Sequence, residues 1–249
     1  MQIGIDLGAT KIEYVLLDEN NSEILRKREK TPKNYKKLLT LLSNIINKLS
    51  EEYNKLLDVG ICHPGSMDKN GKVFNTYNMK WIIGKKIKHD LTSIISNRII
   101  FENDANCFAF SEAIDGAAKE YGSVFGIILG SGTGGGFVID KKIVRGANHL
   151  TGEWGHNFLP GFGLNEKKDR VKYSYKYSSQ QFISGKGLEN LYKKDYKVKQ
   201  SAHQIFNNKK NNKFISSFKD RLARSLASVI NIIDPEIIVF GGGLSNEIR

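Results

Sequence analysis

The chain has 249 residues, 40% of them hydrophobic, enough to bury the core of one large domain or two modest ones, so a disordered or fibrous protein is excluded. No run approaches the ~18 consecutive apolar residues of a membrane span. The opening MQIGIDLGAT has neither the basic region nor the cleavage site of a secretory signal, so a cytoplasmic location with no membrane partner is expected. The net charge of +12 would suit a phosphate-rich partner. However, lysine rather than arginine carries it, in solvent-type stretches such as Asn207 to Lys213. Arginine is the usual residue for bidentate base reading, so a solvated surface and no nucleic-acid partner are expected. Two cysteines, Cys62 and Cys107, build neither a disulfide framework nor, together, a zinc site.

In chain order, Ile3 to Leu7 and Ile12 to Leu17 read as a strand pair around the turn Gly8-Ala9-Thr10-Lys11, and a third strand covers Glu23 to Lys30. Tyr35, Leu38, Leu39, Leu42, Ile45, Ile46 and Leu49 recur at helical spacing. A short strand at Asp58 to Ile61 ends at His63-Pro64-Gly65. Another at Arg98 to Glu102 runs into a helix from about Asp104 to Ala118. After Gly122 the opening pattern returns: a strand at Val124 to Leu129, a glycine-rich turn over Gly130 to Gly136, and a returning strand at Phe137 to Asp140. This repetition predicts a duplicated α/β fold. A long helix follows, marked by Phe214, Phe218, Leu222, Leu226, Val229 and Ile230, then a strand at Glu236 to Phe240 and a turn at Gly241-Gly242-Gly243. Such a strand normally leads into a helix that covers the sheet.

Five segments carry chemistry, each with a plainer alternative. In Asp6-Leu7-Gly8-Ala9-Thr10-Lys11, small residues admit phosphate oxygens, Thr10 and Lys11 add a donor and a charge, and Asp6 could hold magnesium; alone it could equally be an ordinary hairpin. Gly130-Ser131-Gly132-Thr133-Gly134-Gly135-Gly136 suits close approach to an anion better than a linker, because strands flank it. Two such loops on one cleft are what phosphoryl transfer from ATP needs. In Glu102-Asn103-Asp104, a carboxylate could take a proton from a sugar hydroxyl, while the segment taken alone is better explained as a helix N-cap. Glu153 and His156, three apart, would share one side of a helical turn and bind hydroxyls or a metal. The glycines at 241–243 could meet a base and ribose or simply turn the chain.

Taken together, DLGATK at 6–11, HPG at 63–65, ENDANCFAFSEA at 102–113, GSGTGGG at 130–136, GEWGHN at 152–157, SGKGL at 184–188 and DPEIIVFGGGLSN at 234–246 resemble the ROK (repressor, open reading frame, kinase) family of actin-like sugar kinases. NDANC, DGAA, GEWGHNFLP and FISG resemble its bacterial fructokinase branch, with N-acetylglucosamine kinases next. The resemblance implies two ribonuclease-H-like domains, at 1–118 and 119–249, around a cleft that holds a sugar and ATP with Mg²⁺. It implies Asp104 as general base, with Gly65, Asn78, Asn103, Glu153 and His156 on the sugar. Asp6, Gly8, Thr10, Lys11, Ser131, Gly132, Thr133 and Gly134 would lie on the phosphates, and Gly241, Gly242 and Gly243 at the adenosine. The reaction expected is phosphorylation of fructose to fructose 6-phosphate by a homodimer, with N-acetylglucosamine or another hexose as the alternative substrate. A catalytically impaired sugar-binding remnant is the reading of another class. The family's repressors are set aside because the first strand begins at Gln2 or Ile3, leaving no room for a DNA-binding segment.

Two departures from the family pattern matter. Its CxCGxxGCxE segment falls on Val171 to Gln180, placing Val171, Tyr173 and Ser178 at the cysteine positions and Gln180 at the sugar-binding glutamate. No zinc is therefore expected, and the loop is expected either to repack through Tyr173, Tyr175 and Tyr177 or to be mobile. Gln180 keeps a hydrogen-bonding amide without charge. Relatives also continue past the final glycine turn with further helices. The expectation is therefore a truncated C-terminal end, an exposed sheet face and weakened ATP affinity.

Overall fold

The computed structural model describes residues 1–68, 70–76, 78–161 and 177–248. The chain divides into two compact units, Met1–Cys107 with Gly146–Leu150, and Phe108–Arg145 with Thr151–Arg249.

In the first unit, β1 (Gln2–Leu7) and β2 (Lys11–Leu17) form an antiparallel hairpin, with β3 (Glu23–Lys30) paired on its outer side. The amphipathic helix α1 (Tyr35–Glu52) follows, capped by the Asn34 side chain, which accepts from the Lys37 N–H. Then come β4 (Asp58–His63), a two-stranded ribbon of β5 (Ser66–Met67) and β6 (Val73–Asn75), the short helix α2 (Ile87–Thr92), and β7 (Ile99–Asn103). The main sheet runs β3-β2-β1-β4-β7, with β4 and β7 parallel to β1. Alternation sorts its faces. Ile3, Ile5, Leu7, Ile12, Leu16, Val59 and Ile61 join Leu38, Leu42, Ile46 and Leu49 of α1 in one core. The opposite face carries a row of polar residues in register: Arg28, Glu13, Asp6, Cys62 and Glu102. The three strands and α1 lie where the periodicity predicts them.

Helix α3 (Asp104–Ile114) starts directly from β7, four residues shorter than expected. In the second unit, β8 (Ser123–Leu129), β9 (Thr133–Ile139), the short β10 (Lys142–Ile143) and β11 (Ile237–Gly241) form a sheet ordered β10-β9-β8-β11, with β11 parallel to β8. Between β10 and β11 come α4 (Gln180–Ile183), α5 (Gly185–Tyr196), α6 (Ala202–Phe206) and α7 (Asn212–Ile233). Phe125, Ile127 and Leu129 of β8 pack with Leu188, Phe214, Phe218 and Leu222. On the other face, Val124 and Val138 pack with Ala109 and Ala113 of α3. The edge strand β11 is only half-buried, and Phe240 is exposed. Among the described residues, no helix is long and apolar enough to cross a membrane.

Candidate active site

In the first unit, parallel pairing brings the carboxyl ends of β1, β4 and β7 together, the edge where open α/β sheets bind ligands. Asp6, the stretch His63-Pro64-Gly65, and Asn103-Asp104 all lie at this edge. The β1–β2 turn is closed by the Gly8 N–H donating to the Lys11 carbonyl at 3.1 Å. Thr31 braces it from the end of β3: its hydroxyl donates to the Gly8 carbonyl at 2.7 Å and its N–H to the Thr10 carbonyl at 3.2 Å. No motif pointed to Thr31. Its signal was only a polar residue directly after a strand.

Gly65 has φ +85°, and a Cβ there would lie 2.0 Å from the Asn75 carbonyl oxygen, so this turn needs glycine. The Asn103 amide nitrogen donates to the Gly65 carbonyl at 2.8 Å, while its amide oxygen accepts from the N–H groups of Ala105 (2.9 Å) and Asn106 (3.2 Å). Asn103 therefore caps α3 and ties it to the glycine turn. The helix-cap reading of this segment therefore holds, with Asn103 as the capping residue. Asp104 is the first helical residue, half-buried, and its carboxylate accepts from the Ala105 N–H at 2.9 Å. Negative charge at this end of a helix is favoured by its dipole. Glu102 accepts from the Asn103 N–H and the Asn106 amide.

Beside this edge, His63 is buried against Phe101, and burial lowers its pKa against the weaker pull of the Pro64 carbonyl and Glu102. The Cys62 thiol donates to an Asp6 oxygen at 3.5 Å. Hydrogen bonding with Cys107 and burial push its pKa well up, so it remains a thiol. Asn78 lies exposed after β6.

In the second unit, the turn between β8 and β9 is only Gly130-Ser131-Gly132, closed by the Gly130 N–H donating to the Gly132 carbonyl at 3.0 Å. The expected seven-residue glycine turn and the strand start at Phe137 are corrected: Thr133 and Gly134 to Gly136 are strand residues. The reason is packing. A Cβ on Gly135 would sit 2.7 Å from both the Gly152 carbonyl oxygen and Trp154 Cδ1, and Trp154 donates its indole N–H to the Gly134 carbonyl at 3.1 Å. Ser131 is the exposed tip. Two further contacts hold the turn: the Gly185 N–H donates to the Gly130 carbonyl at 2.8 Å, and the Gln180 side-chain oxygen accepts from the Thr133 N–H at 3.3 Å.

Glu153 and His156 flank a short helical turn and do share one side of it, with His156 Nδ1 3.5 Å from a Glu153 carboxylate oxygen. Gly155 of this turn lies against Thr133 and Gln180, so the 153–156 segment, Gln180 and the hairpin meet. At the end of β11, Gly241 lies against the Phe108 ring, Gly242 lies against Leu129 at the root of the same hairpin, and Gly243 opens a short 3-10 turn. Of the segment aligned with the cysteine pattern, Val171, Tyr173 and Tyr175 lie outside the described residues. Tyr177 is half-buried, and Ser178 is buried in a bridge to Phe158.

Two hairpins, each rooted in the sheet of its own α/β unit, and a carboxylate at the end of a parallel strand define an actin-like sugar-kinase fold. The solved structures carry the same architecture. A ROK hexokinase from Thermus thermophilus superposes with a TM-score of 0.81 at 23% identity, covering 100% of this chain and 83% of that one. A ROK family glucokinase from Streptomyces griseus, in complex with glucose and AMPPNP, superposes with a TM-score of 0.69 at 23% identity, covering 99% and 84%. The ROK family pattern matches residues 2–249, and the chain belongs to the ROK family. Among curated proteins, the N-acetyl-D-glucosamine kinase of Yersinia enterocolitica is 36% identical over 257 residues, covering 99% of this chain and 85% of its own length. That of Vibrio cholerae is 35% identical with the same coverage. The expected affinity with the fructokinase branch gives way to these amino-sugar kinases.

Proposed function

We propose that this sugar kinase of the ROK family transfers the γ-phosphoryl group of ATP to a hydroxyl of N-acetylglucosamine or a closely related hexose. Asp104 acts as general base. It takes the proton of the accepting hydroxyl as that oxygen attacks phosphorus, and positioning and charge stabilisation do the remaining work of such a transfer. The observation that carries this reading is the placement of Asp104 at the carboxyl end of the parallel strand β7, beside the Gly65 turn to which Asn103 is bonded.

Asn103, Gly65 and Asn78 are assigned to the sugar, as are Glu153 and His156. Gln180, bonded to the Thr133 N–H, supports the hairpin as much as the sugar. Backbone N–H groups of the turns at 8–11 and 130–132, other than those of Gly8 and Gly130 that close the turns, are assigned to phosphate oxygens, with the Thr10 and Ser131 hydroxyls and the Lys11 charge. Gly241 to Gly243 bound the adenosine. The exposed Asp6 carboxylate, a hard oxygen donor at the end of β1, fits a magnesium ion held mainly by phosphate oxygens and water. When bound, that ion neutralises charge on the leaving ADP.

Fructose is the less supported acceptor, because the amino-sugar kinases match nearly the whole chain at 35–36% identity. The test is ADP release by the purified chain with MgATP and a panel containing N-acetylglucosamine, N-acetylmannosamine, glucose, mannose and fructose. N-acetylglucosamine should give the highest kcat/KM. Asp104→Asn should lower kcat by about 10²- to 10⁴-fold with binding of the sugar retained. Equal turnover in that variant would remove Asp104 from its role, and sugar binding without ADP release in the wild type would favour a binding protein.

A further inference from the structure

On the sheet face that carries Asp6, the charges of β2 and β3 are balanced at one level and unbalanced at the next. Glu13 pairs with Arg28 across the ladder and also bonds Arg26 at 2.8 Å, so one carboxylate serves two guanidinium groups. One step nearer the β1–β2 turn, Lys11 stands directly opposite Lys30. Side chains opposite each other in a ladder share a face with Cβ atoms about 5 Å apart, and like charges so placed repel. Both lysines are exposed, and neither has an ion-pair partner among the described residues. Lys30 is also not free to drift. The next residue, Thr31, is fastened to the turn by its two hydrogen bonds to Gly8 and Thr10, which fixes the Lys30 backbone against the turn.

We propose that Lys30, with Lys11 across the β2–β3 ladder, forms a two-cation clamp for the polyphosphate of a nucleoside di- or triphosphate seated at the β1–β2 turn. This rests on the kinase reading above and adds to it a residue from a strand that carries none of the recognised motifs. A bound polyphosphate supplies the anion that the opposed pair lacks, so repulsion in the empty protein becomes attraction in the complex. The edge strand then serves the nucleotide through Lys30 and braces its turn through Thr31.

The test is direct binding of MgADP and of adenosine to the full chain by titration calorimetry, with no turnover required. Lys30→Ala should weaken MgADP about tenfold, the effect of losing one charge contact partly open to water, and should leave adenosine unchanged. Lys30→Arg should stay within about twofold of wild type, and the salt dependence of MgADP binding should be shallower in Lys30→Ala. Lys27→Ala, on the other face of the same strand, should bind as wild type. Because the opposed lysines repel, the unliganded Lys30→Gln protein should unfold at the same or a higher urea concentration, which a merely structural lysine would not do. Unchanged MgADP affinity in both Lys30→Ala and Lys30→Gln would overturn the proposal, as would equal losses for MgADP and adenosine. A wild type that binds MgADP but phosphorylates no sugar would end the kinase reading and leave Lys30 to be judged by binding alone.

Discussion

The two hairpins share a plan of strand, small-residue turn and strand, yet they are held in different ways. The turn at 8–11 is braced by one residue, Thr31, through its hydroxyl and its N–H, and carries its own cation, Lys11. The turn at 130–132 has no charged side chain; its returning strand is pressed backbone to backbone against Gly152 and its root against Gly242. A small-residue hairpin turn can thus be held by side-chain hydrogen bonding on one repeat and by close-packed backbone on the other. The second solution is the less forgiving, because glycine contacts leave no room to adjust.

The largest effect should come from the close contact. Gly135→Val forces a side chain into the Gly152 carbonyl and Trp154, and should destabilise the second unit by at least about 3 kcal/mol, as overpacking and backbone displacement do. Urea unfolding followed by Trp154 fluorescence would read it, and a loss under 1 kcal/mol would deny that the glycines are there for packing. Thr31→Val, on the other hairpin, removes one buried hydroxyl contact while keeping shape. It should cost about 1–2 kcal/mol and raise the KM for ATP more than that for the sugar. An equal rise in both would mean that Thr31 supports the unit rather than the turn.

The smallest effect is one of pH. Buried His63 has a folded pKa below its ordinary 6.5, so the unfolded chain binds its proton more readily than the folded one. Its contribution to stability is therefore complete above about pH 6.5 and declines as the pH falls below that value. Urea midpoints measured between pH 7.5 and 5 should fall, and less steeply in His63→Gln. Parallel slopes would show that the histidine by the Gly65 turn is not kept neutral by burial.

Much of this was legible in the residues. Period-two and helical patterns placed β1 to β3, α1, β8 and α7. The spacing of Glu153 and His156 anticipated their shared turn. Other features were not legible because they depend on contacts distant in sequence. Gly134 to Gly136 read as loop, since nothing local reveals that Gly152 and Trp154 will press on them. Asp104 and Asn103 are both good caps by type, and only the approach of the Gly65 carbonyl to the Asn103 amide decided which of the two serves. Thr31 carries no motif, and its hydroxyl matters because pairing with β2 brings it to Gly8.

The sequence by itself determined the repeated α/β pattern, the glycine turns and the family, because periodicity and turn chemistry are properties of neighbouring residues. Only the tertiary structure decided how each turn is supported, which residue caps α3, and that Lys11 and Lys30 face one another. Those outcomes follow from strand register and backbone packing, which join residues far apart along the chain.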